Sequence, residues 1–399
     1  MDDQKQGPKL PGPCTGIRVL EISTMVAGPM AGQMLADLGA EVTKIEALGG
    51  DPLRRINPSH NGMGALFMAM NRHKRSIQLD LKSDKGQAIA HALAVSCDVL
   101  IENARPGVMA RLGLSYEALR EHNPGLIYAS ISGFGQSGPY VKRPAFDQVL
   151  QGMTGIMQLQ NPLGEPQPLR TMFVDKYSAA AAASAITAAL LFRERNGGQG
   201  QFVSVSLLDA FSSFALIDNL HNFMFKDSDA RIPYINTTRP IRTADGHMIG
   251  HIQTDEQFAR ICRLLDREEL VTDPRFVGAW QRLSNIEAMW EELEKASSLV
   301  PTEILLEGIE REGVPLGRVN TVAEFLDDPQ AKHNESVVEY HDDEFGTVLF
   351  LNYPARFEKS PADVRARAPK LGEHTDAVLA GIGMTAADIA QAHADGYVG

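Results

Sequence analysis

Cysteine is scarce: Cys14, Cys97 and Cys262 are spread over 399 residues. Few, odd in number and far apart, they exclude a disulfide framework and a clustered zinc site. They suit a reducing compartment, and the expected location is cytoplasmic. Positive charge is in deficit too. Lys and Arg total 38 against 50 Asp and Glu, a formal net charge of −12. Proteins that grip nucleic acid carry a basic face, and anionic membranes attract basic segments, so neither is expected as a partner. There is no long hydrophobic run. The most apolar stretch, Ser178 to Phe192, is mostly alanine, and its roughly 15 residues fall short of the ~20 that span a bilayer. No signal peptide is expected at the start, and no repeat of about 20 to 50 residues is present. Low complexity is confined to a polar, Gly- and Pro-containing opening from Met1 to Pro13, expected to be a loose arm.

Familiar ligand signatures are missing as well. Gly28-Pro29 lacks the spacing of the dinucleotide fingerprint G-x-G-x-x-G, and no G-K-[ST] ends the glycine-rich stretch Gly133 to Gly138. No G-x-S-x-G elbow occurs. The eleven histidines form no H-x-x-x-H pair with a catalytic Glu, so no metal is expected.

What is present is a soluble composition, 44% hydrophobic and 22% charged, and a chain long enough for two domains. Ile17 to Ile22 reads as a strand, Gly28-Pro29 opens a helix that Gly39 closes, and Glu41 to Glu46 is a second strand. The alternation continues through Ser76 to Leu81, Lys85 to Val95, Asp98 to Glu102 and Leu126 to Ser132. It predicts an α/β fold with a doubly wound, mostly parallel, Rossmann-like sheet. Asp147 to Gln158 has a Met-rich helical pattern. Met172-Phe173-Val174 is a short apolar run that stops at Asp175, where the alanine helix begins. Beyond about residue 225 the texture changes to a smaller α+β region. The expected division is 1–225, 226–325 and a returning segment 326–399.

Two features carry candidate chemistry. Asp175 heads a helix, and N-capping alone accounts for it. The same placement also suits a nucleophile, because free amides and the macrodipole favour an ionised carboxylate. The run Asn71-Arg72-His73-Lys74-Arg75, with Arg54, Arg55, Arg105 and Arg111, puts cations near strand ends. That is a solvated charge cluster or a phosphate site.

The chain resembles the family III CoA-transferases, the group of formyl-CoA and carnitine CoA-transferases, over roughly residues 16 to 376. The pieces include Gly16 to Glu21, Ala27-Gly28-Pro29, Leu38 to Glu46, Gly50-Asp51-Pro52, Asn71 to Asp80, Asp98 to Gly107, Phe146-Asp147, Val174-Asp175, Gly200 to Ala210 and Gly372 to Thr375. The resemblance implies that Asp175 is the acyl-accepting nucleophile, and that CoA moves from an acyl-CoA to a free carboxylic acid through an acyl-aspartyl anhydride and an aspartyl-CoA thioester. Acyl-CoA is then a substrate, with no permanently bound cofactor. CoA contacts are expected at Val26, Ala27, Lys74, Asn103, Arg105 and Arg111, with Gly135, Phe146 and Asp147 beside the substrate. An interlocked homodimer is also implied. The chain departs from the formyl-CoA enzyme at Val26, where that enzyme has glutamine, and at Ala47, where it has arginine; both count against oxalate and formyl-CoA. The rivals are an α-methylacyl-CoA racemase, which has histidine where Phe146 stands, and an inactive CoA-binding homologue.

Overall fold

Val19, Leu20 and Ile22 alternate with few polar residues, and a strand of this kind is buried on both faces. The computed structural model, which describes residues 12–161, 164–229 and 237–399, places it at the centre of a parallel sheet. The strands are β1 (Arg18–Ile22), β2 (Glu41–Glu46), β3 (Arg75–Gln78), β4 (Val99–Glu102), β5 (Ile127–Ser132) and β6 (Gln201–Ser206). Their order is β3-β2-β1-β4-β5-β6, all neighbours parallel. Strand order reverses between β1 and β4, and in open α/β sheets ligands bind outside the carboxyl ends of the strands at that point.

Each face of the sheet has its own core. One packs Val19, Val99, Ile127 and Ala129 under α1 (Ala27–Asp37) and a long alanine-rich helix. The other packs Leu20, Ile45, Leu100 and Tyr128 under α2 (Asp84–Val95) and helices near the chain end. The segment 374–399 also bonds the edge strand, with His374 N donating to Ser76 O and Asp80 N to Tyr397 O.

Two boundaries differ from the sequence reading. The pattern from Asp147 to Gln158 is broken: α3 spans Asp147–Met153, Gly155 turns the chain at φ +82°, and a short helix resumes at Ile156–Gln160. Met172-Phe173-Val174 is not a strand, because α4 begins at Phe173 and runs to Arg195. The expected arm, Met1 to Pro13, lies outside the described residues except for its last two.

The chain divides into two units, Met1–Lys226 with Asn334–Gly399, and Asp227–His333. The first holds the parallel sheet, and also a hairpin of Val337–Asp342 with Gly346–Leu351. Within it lies a hollow of about 2010 Å³, lined by Met30, Met34, Leu66, Ala183, Leu351 and Phe357 among others. The second unit pairs Ile241–Arg242, His247–Gly250 and Leu316–Arg318 as a small antiparallel sheet. Its core is built on Phe258, Phe276, Trp290 and Leu293. Among the described residues no helix is long and apolar enough to cross a membrane.

Candidate active site

The turn after β1 is held from below by buried charge. Glu21, Lys44 and Lys74 are all sealed from solvent, and buried charges persist when paired and hydrogen-bonded. Lys44 Nζ lies 2.9 Å from Glu21 Oε1 and 3.2 Å from Asp51 Oδ2, and donates to Ser23 O at 2.6 Å. Lys74 Nζ lies 2.7 Å from Glu21 Oε2 and donates to Pro29 O in the first turn of α1. Burial opposes ionisation of Glu21, but two ammonium groups outweigh it and hold its carboxyl below the usual range. Lys74 must share that carboxylate with Lys44, so burial wins there and brings its ammonium down to about 8.

The same turn is clamped from the neighbouring strand. Asn103, just past β4, accepts from Thr24 N at 3.0 Å and donates to Thr24 O at 2.7 Å. Asp51 Oδ1 accepts from Leu53 N and Met25 N. Between these ties Met25 sits at φ +65°, a region that costs a non-glycine residue free energy and persists where surroundings over-determine it. Glycine is needed midway along α1: a Cβ on Gly32 would lie 2.2 Å from Glu21 Oε2.

The cations expected at a phosphate site separate into two groups. Arg72 binds both oxygens of Asp37, Arg54 binds both oxygens of Glu46, and Arg75 pairs with Glu41. With Lys74 on Glu21, the run turns Arg72 and Lys74 inward as scaffold and leaves Arg75 at the surface, which corrects its reading as a phosphate cluster. Arg105 and Arg111 are exposed, and neither guanidinium is paired among the described residues. Val26 and Ala27 are buried where α1 begins, and Asn103 is half-buried.

Helix α4 brings Asp175 to the same edge. Its C-terminal end joins β6 through the turn Asn196 to Gly200, next to the start of β5. Its 23 residues rise about 34 Å, longer than the strands, so the other end overlooks their carboxyl ends. Asp175 is the third helical residue, not the cap, and no side chain at the N-cap position, Met172, bonds the helix. A neighbour does this instead: Asp147 Oδ2 accepts from Asp175 N at 3.1 Å. The helix end is expected to favour the ionised carboxylate, but here it is outweighed. Burial, and then the Asp147 charge, push the Asp175 carboxyl up to about 6. Its neighbour Lys176 is turned to Thr171 Oγ1.

Asp147 is buried and its other oxygen accepts from Gln151 Nε2 at 2.6 Å. Phe146, immediately before it, is 67% exposed. The glycine loop lies beyond β5. A Cβ on Gly133 would fall 2.1 Å from that of Ala145, and Gly135 adopts φ +82°. Gln136 ties the loop to Ser130 and Ser132. Among the described residues no group of three His, Cys, Asp or Glu is placed to hold a metal.

Sequence reasoning missed Glu21, Lys44 and Gln151. A signal existed for the first two, since each is a charge within a strand expected inside a parallel sheet, where solvation is excluded. Gln151 gave none, because glutamine on a short helix is ordinary.

A parallel sheet whose strand order reverses between β1 and β4, with a half-buried carboxylate over the same edge, is the arrangement of an α/β enzyme. The sequence pattern of CoA-transferase family III matches residues 14–375, and the chain belongs to that family; it is an acyl-CoA:carboxylate CoA-transferase. It is 35% identical to a succinate–glutarate CoA-transferase of Agrobacterium fabrum, covering 92% of this chain and 95% of the relative. It is 36% identical to an acetyl-CoA:oxalate CoA-transferase of Acetobacter aceti, covering 91% and 94%. The crystal structure of a CaiB/BaiF family protein from Brucella suis superposes with a TM-score of 0.84 at 36% identity, covering 93% of this chain and all of that one.

Proposed function

We propose that Asp175 is the covalent nucleophile of CoA transfer to a small carboxylic acid. The observation that carries this is its half-buried carboxylate, raised to about 6, beside the crevice of the parallel sheet. In the first step a carboxylate oxygen of Asp175 attacks the donor thioester carbon. The C–S bond breaks and CoA leaves as thiolate. The thiolate attacks Cγ of Asp175, releasing the donor acid and forming an aspartyl-CoA thioester. An acceptor carboxylate attacks the same Cγ and expels CoA thiolate again. That thiolate takes the acceptor acyl carbon and restores the Asp175 carboxylate. Each step exchanges one activated acyl bond for another.

Val26, Ala27 and Asn103 form the crevice wall for CoA, and the free guanidinium groups of Arg105 and Arg111 suit its phosphates. Lys74 serves from beneath, by holding Pro29. Backbone amides around Gly135 suit a developing oxyanion. The relatives' names favour a dicarboxylate such as succinate, glutarate or oxalate as one partner. A second copy of the chain is the proposed occupant of the hollow in the first unit, giving an interlocked homodimer. Racemisation is disfavoured, because the phenyl ring of Phe146 carries no proton to transfer.

The test is mass spectrometry after incubation with succinyl-CoA or acetyl-CoA and a hydroxylamine quench. A hydroxamate at position 175 is expected, and Asp175→Ala should abolish both it and transfer to free acid. Undiminished transfer in Asp175→Ala would overturn the reading. Exchange of the α-proton in deuterated water, without a hydroxamate, would favour the racemase.

A further inference from the structure

One fully buried side chain joins three parts of the nucleophile's surroundings. Gln151 lies on α3 with no solvent exposure. Its Oε1 accepts from Leu169 N at 2.9 Å. Its Nε2 donates to Asp147 Oδ1 at 2.6 Å, with longer contacts to Thr171 O at 3.2 Å and Leu169 O at 3.4 Å. Both ends of the amide are thus committed, one to the segment just before α4 and one to the carboxylate that caps α4. Asp147 in turn spends its second oxygen on Asp175 N. The chain of contacts runs from the 169–171 backbone through Gln151 and Asp147 to the backbone of Asp175.

We propose that Gln151 is a positioning residue for CoA transfer: by fixing Asp147 against the start of α4, it sets the direction from which the Asp175 carboxylate meets the thioester. This rests on Asp175 being the nucleophile. The physical grounds are two. A buried carboxylate with one oxygen unpaired takes up a proton or swings toward a new donor, and either change weakens its hold on the Asp175 amide. A nucleophile misplaced by about 1 Å loses on the order of 100-fold in rate. An apolar side chain at 151 would fill the space but leave Leu169 N and Asp147 Oδ1 without their partner.

Beyond burial, Asp147 is the charge that acts on Asp175, so the pH profile reports where Asp147 stands. The experiment is single-turnover acylation of Asp175 by acetyl-CoA, followed by intact mass from pH 5 to 8. It compares Gln151→Leu, Asp147→Asn and the double variant, with CoA affinity and thermal melting measured alongside. Gln151→Leu should slow acylation at saturating acetyl-CoA by about tenfold or more and lower the acid midpoint from about 6, with CoA affinity unchanged. In the Asp147→Asn background the same change should add little, because contacts in one network are not additive. If Gln151→Leu does not fold, Gln151→Met is close in length and volume, removes the amide's contacts to Asp147 and Leu169 without adding charge, and the same slowing is expected. Additive losses, an unmoved midpoint, or slowing matched by lost CoA affinity would overturn the proposal. Absence of acylation in the unaltered protein would instead overturn the nucleophile itself.

Discussion

A carboxylate that attacks a thioester near neutral pH has two opposed needs: it must be ionised, and it must be basic enough to react. An ordinary aspartate meets the first and is weak in the second. Asp175, raised to about 6 by burial and by Asp147, remains about nine-tenths ionised at pH 7 while gaining basicity. The neutral form cannot attack, so acylation should fall as pH drops, half-maximal near 6; pre-steady-state rates at saturating acyl-CoA would check this. The folding linkage has the opposite sign. A raised carboxyl contributes stability that is complete below the ordinary range near 3.8 and lost as pH rises through 6. The nucleophile is thus strained at the pH where it works.

Among the elements, β1 and β2 do more than build a sheet. Leu20 and Val19 face the two cores, while Glu21 and Lys44 meet under the turn that follows β1. Removing Lys44 leaves Glu21 with Lys74 alone and takes from the buried Asp51 carboxylate its paired cation. Lys44→Met should therefore destabilise the fold by about 3–5 kcal/mol in urea titration. The turn from Ser23 to Met25 would lose its tie to Ser23 O at the same time.

These two strands also mark what could be read from sequence. Their positions follow from Val, Leu and Ile at strand spacing, and the helix between them from Gly28-Pro29 and Gly39, so the parallel sheet was legible. The charges inside them were visible but not their pairing, because Glu21 and Lys44 meet only once β1 and β2 pair in register. The same holds at α4. An apolar run ending in Asp looks like a strand and a cap. Which residue caps the helix depends on Asp147, 28 residues earlier in the chain. The basic run 71–75 misled for the mirror reason: the partners of Arg72 and Lys74, Asp37 and Glu21, lie on separate elements, and only the folded chain turns those two cations inward.

At the scale of the whole molecule, the first unit keeps an apolar hollow of about 2010 Å³ between Met30, Leu66, Ala183 and Phe357. Protein interiors are otherwise packed to near-crystalline density. A space of this kind, once filled by the proposed second copy, couples folding to assembly, since mass action rewards whatever binds the native state alone. Diluting the protein should therefore lower its melting temperature, by a margin that grows with each tenfold step, as calorimetry over a concentration series would register. The chain's durability would then be a property of the population, set by how often two molecules meet.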